Sequence, residues 1–163
     1  MNYLVCALVM GVGATAVMDL WAIARRWVFG VSPPNYGLVG RWFAHLARGR
    51  FRHESIATSS AVHGERVIGW VAHYVVGVLF AALLLGVWGL AWVRHPTIGP
   101  ALLVGIGTVL APFLLMQPGM GAGVAASRTP RPAAARVQSL VTHTIFGLGL
   151  YASGWAAQLI HVR

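Results

Sequence analysis

Residues 67–93 read VIGWVAHYVVGVLFAALLLGVWGLAWV, a run with no Asp, Glu, Lys or Arg. A bilayer core takes roughly 20 predominantly apolar residues of helix to cross. This run is longer than that and is apolar on most faces, unlike an amphipathic helix lying against a soluble core. Three further stretches share its character. Residues 3–24 carry one charge, Asp19, and residues 98–118 and 137–160 carry none. Lipid offers no partners for open backbone groups, so spanning segments are helices. The expected fold is all-α: a polytopic membrane protein with four transmembrane helices in a bundle, forming one domain over residues 1–163.

Composition points the same way. The chain has 163 residues, 58% hydrophobic and 9% charged, against about 25% charged in a soluble domain. Its 12 basic residues are all arginine and face three acids, for a net charge of +9. Disorder is excluded by the high hydrophobicity. The single cysteine, Cys6, excludes an internal disulfide framework and any multi-cysteine zinc or iron–sulfur site. The first apolar stretch lacks the basic start and cleavage region of a signal peptide, and is expected to stay in the mature protein. There is no nucleophile elbow and no dinucleotide fingerprint, so the residues point away from an enzyme. The glycines of 119–123 follow a membrane helix rather than a strand, which removes a nucleotide reading.

Arginine placement orients the chain. The connection 25–66 holds Arg25, Arg26, Arg41, Arg48, Arg50, Arg52 and Arg66, and the third connection holds Arg128, Arg131 and Arg136. The second holds only Arg94 and the tail only Arg163, an alternation of ten arginines against two. The positive-inside rule then expects a bacterial inner membrane protein with the first and third connections in the cytoplasm and both termini outside. The expected partner is a bilayer with anionic headgroups, touched by Arg41, Arg48, Arg128 and Arg131. No nucleic-acid motif accompanies the charge. Within the first connection Val39, Trp42, Phe43 and Leu46 recur at i, i+3, i+4 and i+7, which predicts a short interfacial helix. His45, His53 and His63 are expected to be solvated or at headgroups.

Ionisable groups inside a bilayer are functional candidates by default. Asp19 precedes Arg25 by six residues, while His73 and His143 follow Arg66 and Arg136 by seven each. At about 1.5 Å per residue all three sit roughly 9–10 Å inside the cytoplasmic boundary. Each lies on a stripe of small residues: Gly11-Thr15-Asp19, Gly69-His73-Gly77 and Ser139-His143-Gly147. Small residues mark helix–helix contact faces in membranes, so the three are expected to point into the bundle and meet there. The third stretch adds Met116 and Gln117 as a wall, and its Pro112 and Pro118 break the backbone ladder.

Several chemistries use such a cluster. An acid between imidazoles suits transport or permeation of protons, a metal ion or a small polar solute. Asp19, His73, His143 and Met120 are candidate ligands for a metal ion. His73 and His143 are candidate axial ligands for haem b in an electron carrier, with nearby glycines leaving room for the macrocycle. A non-catalytic assembly subunit, in which these groups only glue helices, stays open as well. A four-helix bundle is thin, so a homodimer is a natural partner.

Four segments carry a family resemblance: GATAVMDLW (13–21), NYGLVGRWFAHLARGRFRH (35–53), GERVIGWVAHY (64–74) and MQPGMGAGVAASRTPRP (116–132). The chain resembles the bacterial membrane family catalogued as domain of unknown function 2938. The resemblance implies a four-span bacterial membrane protein. It implies no reaction and assigns no residue a role.

Overall fold

The computed structural model describes the backbone of residues 2–161 and the side chains of 2–159. Arg163, counted above in the tail, lies outside them. Among the described residues the chain is helical, with no strand. Helix α1 spans Tyr3–Phe29, with the Asn2 side chain accepting from Val5 N and Gly30 (φ 65) closing its end through Arg26 O. It runs past the apolar stretch because backbone hydrogen bonds do not need apolar side chains. Helix α2 is Tyr36–Leu46 and α3 is Glu65–Trp88. The expected second span to residue 93 is interrupted at Gly89, whose φ of 71 turns the chain into the short α4, Ala91–Arg94. Helix α5 covers Ile98–Gly107. Pro112 has no N–H to give, and from it the chain becomes π-helical over Pro112–Met116, with Gln117 N bonding Pro112 O. Helix α6, Gln117–Gly119, follows, and after a turn α7 runs from Pro132 to His161.

Three helical stretches are long and apolar enough to cross a membrane: Tyr3–Phe29, Glu65–Trp88 and Ile98–Gly119. The fourth expected stretch forms a 30-residue helix, α7, but is not among them. Gln138, Ser139, Thr142, His143, Thr144 and Gln158 dilute its apolar character. Freedom from formal charge over 137–160 is thus a weaker criterion than hydropathy.

Contacts divide the chain into two compact units. The first comprises residues 1–33, 74–108 and 141–163. Its core holds Cys6, Met10, Ala14, Leu84, Leu85 and Leu150, all nearly fully buried. Its helices meet through small residues. Gly11 of α1 lies on the backbone of Val78 in α3, Gly149 of α7 on that of Ala14, and Gly105 of α5 on that of Gly147. Such close approach is how helices associate where apolar burial alone gives no driving force. Outward-facing Leu4, Leu20, Ile23, Leu79 and Leu103 are exposed.

The second unit comprises residues 34–73 and 109–140, and so contains most of both arginine-rich connections. The two are joined by hydrogen bonds from His53 N to Gly119 O (2.9 Å) and from Ile56 N to Met120 O (3.0 Å). Helix α2 occurs where the stripe predicted it, yet none of its residues is exposed. Its buried positions are Gly37, Gly40, Trp42 and His45, so it is packed into this unit rather than laid along a surface. Trp42 Nε1 donates to Phe51 O (2.9 Å). His45 and His53, expected at solvent or headgroups, are 7% and 6% exposed. The folded connection brings them the carbonyls of Ser60 and Gly119 as acceptors, which makes their burial tolerable.

Arg41 is the main tie of this unit. Its Nε and Nη2 donate to the two Glu65 carboxylate oxygens at 2.8 Å each, and its Nη1 donates to the carbonyls of Ile56, Ala57 and Ser59. The hydrogen bond and charge of Glu65 hold the guanidinium above its ordinary range. Arg41→Gln is expected to lower the thermal midpoint in detergent more than Glu65→Gln does, because it also strands three carbonyls. A midpoint no lower than that of Glu65→Gln contradicts this.

Candidate functional site

Asp19, His73 and His143 each lie on a helix that makes close glycine contacts. Along α1, Gly11 meets the Val78 backbone and Thr15 meets Gly77. Thr15 Oγ1 returns its hydrogen to Gly11 O (2.7 Å). Asp19, one turn on, accepts from Tyr74 Oη at Oδ2 (3.0 Å). The Asp19 carboxylate is therefore held by α3 through a phenol.

His73, the residue before Tyr74, lies in the other unit. Its Nε2 is 3.0 Å from Tyr36 Oη, and the two rings stack with centroids 4.3 Å apart. Trp70 packs on Tyr36 at 4.4 Å. Gly69 admits the Tyr36 carbonyl, which explains why α2 begins against this side of α3.

His143 of α7 faces α5. Its Nδ1 lies 3.1 Å from Gly105 O and 3.2 Å from Thr108 Oγ1, and Thr108 also donates to Gly105 O (2.8 Å). A carbonyl only accepts, so Nδ1 carries the hydrogen and Nε2 is the acceptor of the neutral ring.

The three ionisable groups thus have three different hydroxyl partners: Tyr74, Tyr36 and Thr108. None of these partners follows from the small-residue stripes alone. A buried hydroxyl in an apolar helix needs a partner, and that was the available signal. Among the described residues no group of three or more His, Cys, Asp and Glu side chains is placed to hold a metal ion. Gly69, Gly77 and Gly147, which were to leave room for the macrocycle, are filled by the Tyr36 carbonyl, the Thr15 hydroxyl and the backbone of Ala101 and Leu102.

The remaining candidates are dispersed. Gln117 Nε2 lies 3.5 Å from Ser139 Oγ, and its Oε1 is buried without a hydrogen-bond partner. Met116 and Met120 flank α6 and are joined by the Met120 N to Met116 O bond. Arg41 spends its donors inside the unit, as described. Arg48 is exposed in the turn after α2. Arg128 lines a pocket that Arg131 does not.

Among the described residues the protein is all-helical, with three helical stretches long and apolar enough to cross a membrane and large apolar side chains exposed on them. Residues 8–157 match the family described as protein of unknown function (DUF2938), and the chain belongs to that family. No match to the chain is found among curated proteins or solved structures.

Proposed function

We propose that this protein is a small permeation or transport protein of the bacterial inner membrane, handling protons or a small polar solute, with Asp19 as its working charge. The observation that carries the reading is the Asp19–Tyr74 bond on the α1–α3 contact face. A carboxylate inside an apolar helix is costly and is retained where it has a use. The phenol donates to the ionised carboxylate and accepts from the protonated one. The pair can therefore gain or lose a proton without separating.

In this reading α7 is the fourth span. Its 30 residues reach about 45 Å at 1.5 Å per residue, more than a bilayer core of about 30 Å requires. The gathering of both arginine-rich connections into one unit supports a shared cytoplasmic side for them, with both termini outside. A second copy would add the walls that one thin bundle lacks.

Asp19→Asn tests the reading. In proteoliposomes carrying a pH-sensitive dye, and in parallel efflux assays with small polar solutes, the variant is expected to lose flux while inserting at the wild-type level. Equal flux at equal protein content refutes the role of Asp19.

A further inference from the structure

Arg52, His53, Pro118, Gly123, Ser127 and Arg128 line a pocket of about 270 Å³ in the second unit. It lies where the first and third connections join, beside the His53 N to Gly119 O bond. Two arginines line it and no acidic residue does; Glu54, next in the chain, is not part of the wall. His53 is 6% exposed. Its Nδ1 lies 3.2 Å from Gly119 O, so that nitrogen carries the hydrogen. Its Nε2 is buried with no hydrogen-bond partner. Buried polar atoms are seldom left so, and one that is needs an explanation.

The backbone beside the pocket is shaped for it. Gly123 has φ 75, and a Cβ there would land on Ser127 Oγ and on Arg128 Cγ. Only glycine leaves the space between those two side chains clear. Ala125 and Ala126 have φ of 47 and 59, left-handed values that strain a non-glycine residue. The Arg136 Nε to Ala125 O bond and the Arg128 N to Ala122 O bond, both 2.8 Å, hold this turn. Ser127 and Arg128 of this turn line the pocket together with Arg52 and His53.

We infer that this pocket binds a phosphate-class anion. Arg52 and Arg128 are the charge partners, because a guanidinium matches a tetrahedral oxyanion with paired donors. The Ser127 hydroxyl adds a further hydrogen-bonding group for a phosphoryl oxygen. The phosphoryl group comes either from the headgroup of an anionic phospholipid or from free phosphate. The site is independent of Asp19, and Asp19→Asn leaves its occupancy unchanged.

The test uses the full chain. Inorganic phosphate is titrated calorimetrically into protein in phosphatidylcholine nanodiscs, at ionic strength fixed with chloride. In parallel, native mass spectrometry counts phosphatidylglycerol retained from phosphatidylglycerol nanodiscs. If free phosphate is the ligand, binding saturates at one site, and R52Q and R128Q each weaken it at least about tenfold. If the headgroup is the ligand, the wild type retains one phosphatidylglycerol that R52Q and R128Q lose and that added phosphate displaces. The exposed-arginine control R66Q removes the same charge and changes either readout by less than about twofold. R128K, which keeps the charge but not the fork, falls between wild type and R128Q and shows that loss in R128Q is not misfolding. If R52Q and R128Q match R66Q in both arms, or neither ligand binds saturably, the inference is overturned.

Discussion

Gly105→Ala is expected to destabilise the protein by about 3 kcal/mol, at the upper end of what overpacking a filled interior costs. A methyl at position 105 would fall on the Cα and N of Gly147 and on the His143 carbonyl. These are backbone atoms of α7, so no side-chain rotation can relieve the clash and the helices must separate. Separation stretches the His143 bonds to Gly105 O and Thr108 Oγ1 as well. Gly99, in the same helix, has nothing within 4 Å of its Cβ position. There the same change replaces a poor helix former by the best one and is expected to stabilise by up to about 1 kcal/mol. Chemical unfolding in mixed micelles measures both. A Gly105→Ala midpoint equal to that of Gly99→Ala removes the α5–α7 contact from the account of stability.

Gly121→Ala is expected to have a comparable effect in the other unit, for two reasons that add. Gly121 has φ 94, and its Cβ would meet the backbone of Glu54 and the His53 carbonyl. The left-handed backbone alone costs about 1–3 kcal/mol, and the clash parts the first connection from the third. Gly64 separates the two causes: its φ is 75 but its Cβ position is open. Gly64→Ala therefore carries the strain alone, about 1 kcal/mol. Limited proteolysis of the 47–60 segment, together with the unfolding midpoint, reads the difference. If both variants lose the same stability, the junction of the two connections contributes nothing.

The contrast between these residues shows how far a one-dimensional pattern reaches. Depth along a span follows from counting residues, and the face a side chain occupies follows from the 3.6-residue period. Those two rules placed Asp19, His73 and His143 on contact faces. They did not say which helix lies opposite. Nor did they name the hydroxyls that bond to these groups, Tyr74 of α3, Tyr36 of α2 and Thr108 at the end of α5. The rotation and pairing of helices depend on which small residues admit which backbone, as Gly69 admits Tyr36 and Gly105 admits Gly147. That information is distributed over residues far apart in the chain.

What composition and periodicity determined without any coordinates is that the chain forms helices long and apolar enough to cross a membrane. Long uncharged runs leave apolar surface that only lipid tolerates, and the helix is the backbone form that satisfies its own hydrogen bonds there. Only the folded chain shows that two arginine-rich connections, separated by most of α3 and all of α5, close into one unit around Gly119 and Gly121. Their union rests on two backbone hydrogen bonds and close glycine contacts, and neither kind of interaction leaves a periodic trace in the order of residues.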